Sequence, residues 1–356
     1  SAYLPYEYDG GLYALPETET FNLLFYRKDI LEQLGLEVPQ TWDELIEILP
    51  TLQGNNLAVG IPYPALATAE SDITTFYSMV YQRGGKIYNN AGTKSIIDSE
   101  EGIAAFKQYT SFYNSYGLPQ VFDFLSRFRT GEMPLGVQNY TAYNTLAVSA
   151  PEIRGLWDFT YLPGTLKADG TIDRSTIAGT TCTMMIKKGI DLSDLATDEK
   201  YANVSYDSVY AQKIADEIAP KVDEKTFKAV MKNETRMSDS WEFMKWWSST
   251  ETQVRFGREL EAVLGASGRL TTANVNALRQ LPWRTSEIEV LEKSLDESVA
   301  VPEVPGSYYT PRHVVNGIRK VFNEKDDPRE TLIDYTRKVN EEITRKRQEF
   351  NLPVEE

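Results

Sequence analysis

The chain has 356 residues, 41% of them hydrophobic and 25% charged, a composition typical of a globular protein large enough for two domains or lobes. Its 52 acidic and 37 basic residues give a formal net charge of −15, which disfavours nucleic acid as a partner. The lone Cys182 excludes an internal disulfide, and with the lone His313 it excludes most zinc sites and Cys–His dyads. No apolar run approaches the roughly 18 residues needed to cross a bilayer. We predict no metal and no cofactor, and we expect His313 to be structural.

The first third of the sequence predicts alternating strands and helices. The predicted strands cover residues 11–16, 21–26 and 57–62. Gly35 ends a predicted helix, because glycine readily adopts the left-handed conformation found at helix ends. Thr41 and Glu44 match the capping box that opens another helix.

The middle of the chain continues this alternation. Predicted helices cover residues 71–81 and 98–117, and further predicted strands cover 133–138, 157–162 and 181–186. The pattern predicts α/β layers with mostly parallel strands.

A more polar region follows. Residues 189–239 are rich in charge and are predicted to form a helical surface insertion. Ser238 is the predicted N-cap of a tryptophan-rich helix, and another helix is predicted at 251–264.

Two dipeptides predict the starts of the final helices. Thr310-Pro311 and Asp327-Pro328 each place an N-cap residue before a proline, which is favoured at the first helical position. Glu330 completes a capping box at the second start.

The aromatic content is the most informative part of the composition. The chain has 21 tyrosines and 6 tryptophans. These side chains combine a flat apolar face with a polar edge, which suits half-polar ligands such as sugars. Packing at the margin of the core is the alternative for each individual tyrosine.

Several motifs, taken in order, carry a family resemblance. GLYALP at 11–16 is followed by LFYRKD at 24–29, LGL at 34–36 and PQTWDEL at 39–45. Further along are QRGG at 82–85, FRTGEM at 128–133, and WEFMKW at 241–246 ahead of STE at 249–251. In this order the sequence resembles the family 1 extracellular solute-binding proteins, the maltose-binding-protein-like receptors of ABC importers.

The resemblance implies a periplasmic-binding-protein-like α/β fold with two α/β lobes and a ligand cleft between them. On this map residues 1–16 form a lobe-crossing segment and 17–176 the second lobe. Residues 177–300 form the remainder of the first lobe, with the insertion at 189–239. Residues 301–356 are helices that return to the second lobe.

The resemblance also implies a function. The chain would be the extracytoplasmic substrate-binding component of an ABC importer and would bind a sugar or oligosaccharide without changing it. Its partners would be this ligand and a membrane permease. We expect it at the cell surface or in the periplasm, anchored to the membrane as a lipoprotein in the full-length protein.

Two departures from the family pattern shape our expectations. The family begins with a strand and helix segment that nothing before Tyr3 matches, so we expect the first lobe to be incomplete in this chain. The 189–239 insertion exceeds the short connection of the family. We expect an incomplete first lobe to leave an exposed apolar surface, unless the insertion or a second copy covers it, and such a surface favours self-association or the binding of a missing N-terminal segment.

Four loops match cleft positions of the family and supply groups suited to sugar hydroxyls. The ligand-binding residues implied by this match are Tyr63, Glu70, Asp72, Asn139, Tyr140, Tyr143, Gly179, Thr180, Tyr308 and Tyr309.

Two other functions stay open at this point. A carbohydrate-active enzyme could use paired carboxylates, although nothing selects one pair among the 52 acidic residues. A cell-surface interaction or structural module could also derive from a solute-binding fold. A ligand screen separates the module from a receptor, and product analysis separates the enzyme.

Overall fold

The computed structural model describes residues 3–8, 10–64, 72–185 and 224–354. Among these residues the strands are β1 (Glu7–Tyr8), β2 (Gly11–Leu12), β3 (Leu15–Thr20), β4 (Asn22–Arg27), β5 (Val59–Gly60), β6 (Leu135–Asn139), β7 (Trp157–Thr160), β8 (Thr165–Leu166), β9 (Ile172–Asp173), β10 (Thr176–Ile177), β11 (Gly179–Thr183) and β12 (Ser298–Val299).

The α-helices are α1 (Lys28–Leu34), α2 (Trp42–Gly54), α3 (Thr74–Gln82), α4 (Glu100–Asn114), α5 (Phe124–Thr130), α6 (Ala142–Ser149), α7 (Glu224–Ser248), α8 (Thr250–Leu264), α9 (Val275–Leu278), α10 (Thr285–Asp296), α11 (Tyr309–Glu324) and α12 (Pro328–Glu349). Short 3₁₀ helices occur at Leu4–Tyr6, Pro151–Ile153 and Gly265–Gly268.

A four-stranded sheet of order β5-β6-β4-β7 forms the centre of the fold. β5 and β6 are parallel, as expected, whereas β4 is antiparallel to both β6 and β7. The prediction of mostly parallel pairing is therefore wrong for β4. β4 enters the sheet from β3, a strand of another sheet one residue away, and not from a crossover helix of the kind that joins parallel neighbours.

Side chains alternate between two cores on the faces of this sheet. Leu24 of β4 packs into a core that is covered by α2, α3, α4, α11 and α12. The neighbouring Leu23 and Phe25 point to the other face, where Phe128, Trp157 and Leu291 belong to a second core. All three β4 side chains are fully buried.

Three crossing segments lie side by side next to the central sheet: β11, β3 and the segment around Thr271. β3 pairs with β11 in antiparallel fashion, with a bulge between Thr181 and Cys182. A third segment flanks β3 on its other side, where the Glu19 N–H donates to the Thr271 carbonyl (3.1 Å). The Glu19 carboxylate is buried and accepts a hydrogen bond from the Ser298 hydroxyl (2.7 Å). These contacts join the crossing segments to one another.

Helices α7 and α8 lie beyond the crossing segments. The indole N–H of Trp247 donates to the Glu17 carboxylate (2.9 Å) and ties α7 to β3. The predicted helix start at Ser238 is wrong, because α7 begins at Glu224 and runs through Ser238 without interruption. Residues 189–223 of the predicted insertion lie outside the described residues.

Local capping signals mostly set the helix boundaries. The Thr41 hydroxyl accepts from the Glu44 N–H (3.1 Å), and Gly35 ends α1 at a φ of 65°. Asp327 caps α12 by accepting from the Glu330 N–H (3.0 Å). The predicted cap at Thr310 is wrong, because α11 already includes Tyr309, and the Thr310 hydroxyl instead bonds Tyr88 inside the protein (2.8 Å).

The lobe boundaries predicted from the sequence stay a prediction. Residues 278–295 contribute Leu278, Trp283 and Leu295 to the second core, against the four-stranded sheet. This packing favours a boundary near the third crossing segment, at about residue 272, over one at residue 300.

Candidate functional site

Four strand ends meet at one edge of the central sheet. β5 and β6 end there because they are parallel, and β4 begins there, with Asn22 opposite Asn139. β7 also ends on this side, since Thr160 lies opposite Leu24. In sheets of this kind, ligands bind beside the carboxyl ends of the strands, and this edge adjoins the crossing segments.

A polar network lies at this edge. The Asn22 side-chain amide donates to the Thr74 hydroxyl (2.8 Å), and the Asp72 carboxylate accepts from the Thr74 N–H (2.9 Å). Asp72 thereby holds the start of α3 next to the start of β4. Glu70, another predicted site residue, lies outside the described residues.

Asn139 turns the chain at the end of β6. Its side-chain oxygen accepts a hydrogen bond from the Thr141 N–H (3.1 Å), and both residues are half-buried. Asn139 and Asp72 are therefore brought to the same edge, on either side of Asn22. Sequence reasoning missed Asn22 and Thr74, although both stand directly at the start of a regular element.

Gly179 and Thr180 begin β11, beside this edge. Gly179 lies opposite Thr20 and is close to it, since a Cβ at Gly179 would lie 3.2 Å from the Thr20 hydroxyl. The Thr180 hydroxyl bonds the Tyr6 hydroxyl at 2.7 Å. These contacts join the start of β11 to Thr20 of β3 and to Tyr6.

Tyr63 follows β5 and packs edge-on against Tyr113, with ring centroids 4.7 Å apart. Burial raises the pKa of its hydroxyl. The Tyr113 hydroxyl donates to the Pro62 carbonyl (3.0 Å), so the loop that carries Tyr63 is fixed on the core.

Tyr140 and Tyr143 follow β6, and both rings pack against Trp283 in the second core. The Tyr140 side chain is only 3% exposed and donates to the Glu19 carbonyl (3.0 Å), and burial raises its pKa. The Tyr143 hydroxyl accepts from the Arg269 guanidinium (3.0 Å), and its ring lies 4.9 Å from that of Trp283. In this structure both side chains are held by the protein itself.

Tyr308 and Tyr309 are placed against the final helices. The Tyr308 side chain is 59% exposed and its hydroxyl bonds the Glu342 carboxylate of α12. The Tyr309 ring packs 4.3 Å from the imidazole of His313. The structure thus connects Asp72 and Asn139 through Asn22, places Gly179 and Thr180 on the adjoining β11, and places these two tyrosines against the final helices.

The polar edge offers amide, hydroxyl and carboxylate groups, which can exchange hydrogen bonds with ligand hydroxyls. Within the described ranges, no group of three or more His, Cys, Asp or Glu side chains could hold a metal ion. The chemistry of this edge is that of recognition by hydrogen bonds.

Comparison with known proteins identifies the family. A model for the family described as bacterial extracellular solute-binding proteins matches residues 1–179, half of the chain. The chain belongs to this family. The assignment agrees with the motif order from GLYALP to FRTGEM, all of which lies in the matched region.

A relative and two solved structures illustrate the similarity. YcjN of Escherichia coli (strain K12), named as an ABC transporter periplasmic-binding protein, is 28% identical over 146 residues, which are 39% of this chain and 33% of YcjN. The sugar-binding protein MalE of Xanthomonas citri is 17% identical with a TM-score of 0.68, and the match covers 99% of this chain and 77% of MalE. A solute-binding protein of Thermotoga lettingae TMO bound with α-D-tagatose is 16% identical with a TM-score of 0.66, covering 96% and 75%.

These comparisons confirm the periplasmic-binding-protein-like fold. The sequence match spans about a third of the length of YcjN, and the structural matches span about three quarters of their chains. The family is one of extracellular binding proteins. Among the described residues, none of the helices is both long and apolar enough to cross a membrane.

Proposed function

We propose that this solute-binding protein binds a sugar or oligosaccharide and delivers it, unchanged, to the membrane permease of an ABC importer. The observation that carries the proposal is the polar edge formed by Asn22, Asp72 and Asn139 at the crossing segments. A ligand held there touches both the central sheet and the crossing strands, so its binding can favour one arrangement of the two.

The ligand class follows from the groups at the edge and from related structures. Hydroxyl-rich ligands match a site of amides, hydroxyls and one carboxylate, because each buried hydroxyl needs a partner. MalE of Xanthomonas citri is named a sugar-binding protein, and the Thermotoga lettingae protein holds a ketohexose. Both support a carbohydrate for this chain.

The proposal includes the place of the protein. We propose an extracytoplasmic location with a membrane anchor, as in a lipoprotein, in keeping with a family of extracellular binding proteins. One lobe would consist of residues 17–176 together with the part of the chain after the third crossing segment. The other lobe would include α7 and α8.

Calorimetry on Asp72→Asn tests the site. Losing the carboxylate should weaken binding of the best sugar from an oligosaccharide panel by about tenfold, the effect of losing one hydrogen bond to a charged group. Asp327→Asn is the control, since the Asp327 carboxylate also accepts a backbone N–H at a helix start but lies on another element. Equal affinities of Asp72→Asn and the wild type would remove Asp72 from the site.

Product analysis tests whether the protein changes its ligand chemically. We expect every sugar in the panel to be recovered intact after prolonged incubation with the protein. Turnover that is abolished by substituting a single carboxylate would replace the receptor with a carbohydrate-active enzyme.

A further inference from the structure

A cavity lies at the end of α3 that is opposite to the polar edge. It has a volume of about 550 Å³, within the roughly 300–1,000 Å³ typical of small-molecule pockets. Four parts of the chain form it: the end of α3, the loop 86–92 after it, the segment 300–305 after β12, and the end of α12 with the residues that follow. Because α3 has nine residues, its length separates the cavity from Asp72 by about 13 Å.

The walls of the cavity are aromatic and apolar. Tyr81 and Tyr88 line one side, and Pro302, Val304 and Leu352 line the other. The Tyr88 hydroxyl is fixed by its bond to Thr310, which keeps the ring in place (2.8 Å). Tyr88 is itself buried, so the more exposed Tyr81 is the flat side chain available to the C–H face of a ring-shaped ligand.

The polar groups around the cavity are mainly hydrogen-bond donors. Lys86 uses one N–H on the Asn90 side-chain oxygen (2.8 Å). Arg347 uses its Nε on the Pro353 carbonyl (2.6 Å) and its Nη1 on the Gly92 carbonyl (3.3 Å). Within the part of the chain that the structure describes, the Arg347 Nη2 and the Asn90 amide nitrogen have no protein acceptor.

The charge around the cavity is positive in a protein whose formal net charge is −15. Lys86 and Arg347 are opposed by one lining carboxylate, Glu303, which already accepts a hydrogen bond from the Ser307 hydroxyl (2.5 Å). An excess of donors and positive charge calls for a ligand that brings acceptors and a negative charge.

From these observations we propose that this cavity is a second binding site, which takes a hydroxylated carboxylate of monosaccharide size, such as a uronic acid. The carboxylate pairs with Arg347 and Lys86, the ring lies against Tyr81, and one ligand hydroxyl donates to Glu303. The site is separate from the polar edge, so it does not depend on the function proposed there.

Calorimetry with D-glucuronate tests the site, with D-glucose as the neutral probe of the same size. We expect glucuronate to bind at least about tenfold more tightly than glucose, and we expect Arg347→Gln and Lys86→Gln each to weaken glucuronate binding by about tenfold, as charge-assisted hydrogen bonds are lost. Lys94→Gln is the matched control, since Lys94 lies in the same hairpin outside the cavity lining, and it should bind glucuronate like the wild type.

Two results would overturn the proposal. One is the absence of saturable glucuronate binding to the wild type, and the other is binding that persists unchanged in both cavity variants, which would place the ligand elsewhere. Thermal melting of each variant checks that it is folded. If Arg347→Gln unfolds because the backbone contacts of Arg347 are lost, Lys86→Gln decides, since the Lys86 side chain is exposed.

Discussion

His313 is the only histidine of the chain, and its imidazole packs between two tyrosine rings. The ring centroids of Tyr309 and Tyr335 lie 4.3 and 5.5 Å from it. Neither ring nitrogen has a hydrogen-bond partner in the described structure. Burial, followed by the charges of Lys338 and Arg312, lowers the pKa of His313. The lowered pKa favours the neutral imidazole, and the ring contacts are those of a structural residue.

This lowered pKa predicts a loss of stability in acid. As the pH falls below the ordinary histidine pKa of about 6.5, the unfolded chain takes up a proton that the folded protein resists, so the free energy of unfolding falls. The contribution is fully present above that pH and is lost as the pH drops towards the lower pKa of the folded state. We expect the free energy of unfolding of His313→Phe to depend less on pH than that of the wild type. Urea unfolding between about pH 7.5 and about pH 5, the range in which histidine titrates, measures this. Parallel profiles for the two proteins would refute this.

At the scale of elements, one arginine joins the end of α8 to α6. The Arg269 guanidinium lies 4.6 Å from the Trp283 ring and 5.1 Å from the Tyr143 ring, and it pairs with Glu261 of α8 at 2.5 Å. The Asn144 side chain also donates to the Arg269 carbonyl (2.9 Å). These contacts fix the segment at Arg269, just before the third crossing segment, on α6 and on Trp283.

Removing this arginine should be costly. Arg269→Gln leaves the Glu261 carboxylate without its partner in a site where the arginine side chain is 8% exposed, and breaking a buried pair costs about 3–5 kcal/mol. Arg255→Gln is the control, because its pair with Glu259 is exposed and should contribute at most about 1 kcal/mol. Urea unfolding of both variants measures the difference, and equal losses of stability would contradict the assigned role.

At the scale of the whole molecule, α7 and α8 carry an exposed aromatic surface, formed by Phe243, Trp246, Trp247 and Phe256. Phe243 and Trp246 are each 56% exposed, and neighbouring rings lie 5.0 to 6.2 Å apart. An apolar surface of this kind was predicted from the sequence.

The exposure of this surface predicts how the protein fluoresces. Trp246→Phe should remove a large part of the tryptophan emission that acrylamide can quench, because Trp246 is the most exposed tryptophan among the described residues. Trp157→Phe is the control, since Trp157 is 9% exposed and its loss should leave the quenchable emission nearly unchanged. Trp246→Phe with wild-type quenching would show that this surface is covered in solution.

The sequence by itself determined the family and most element boundaries, because these depend on local chemistry. Gly35, Thr41 and Asp327 end or begin helices through bonds to residues at most five positions away. The order of short motifs was likewise sufficient to indicate the fold. Where a boundary depended on a distant contact, as at Thr310 with its bond to Tyr88, the local signal was misleading.

Only the tertiary structure decided which polar residues meet. Asn22 and Thr74 are 52 positions apart in the chain, and they touch because β4 reverses direction against β6 and places its first residue beside α3. Likewise Tyr140, which the family resemblance implied as a ligand-binding residue, has its hydroxyl bonded to the Glu19 carbonyl, 121 positions away. Composition and spacing select residue types suited to a site, but strand direction and packing decide which of them face it, since those depend on contacts across the whole chain.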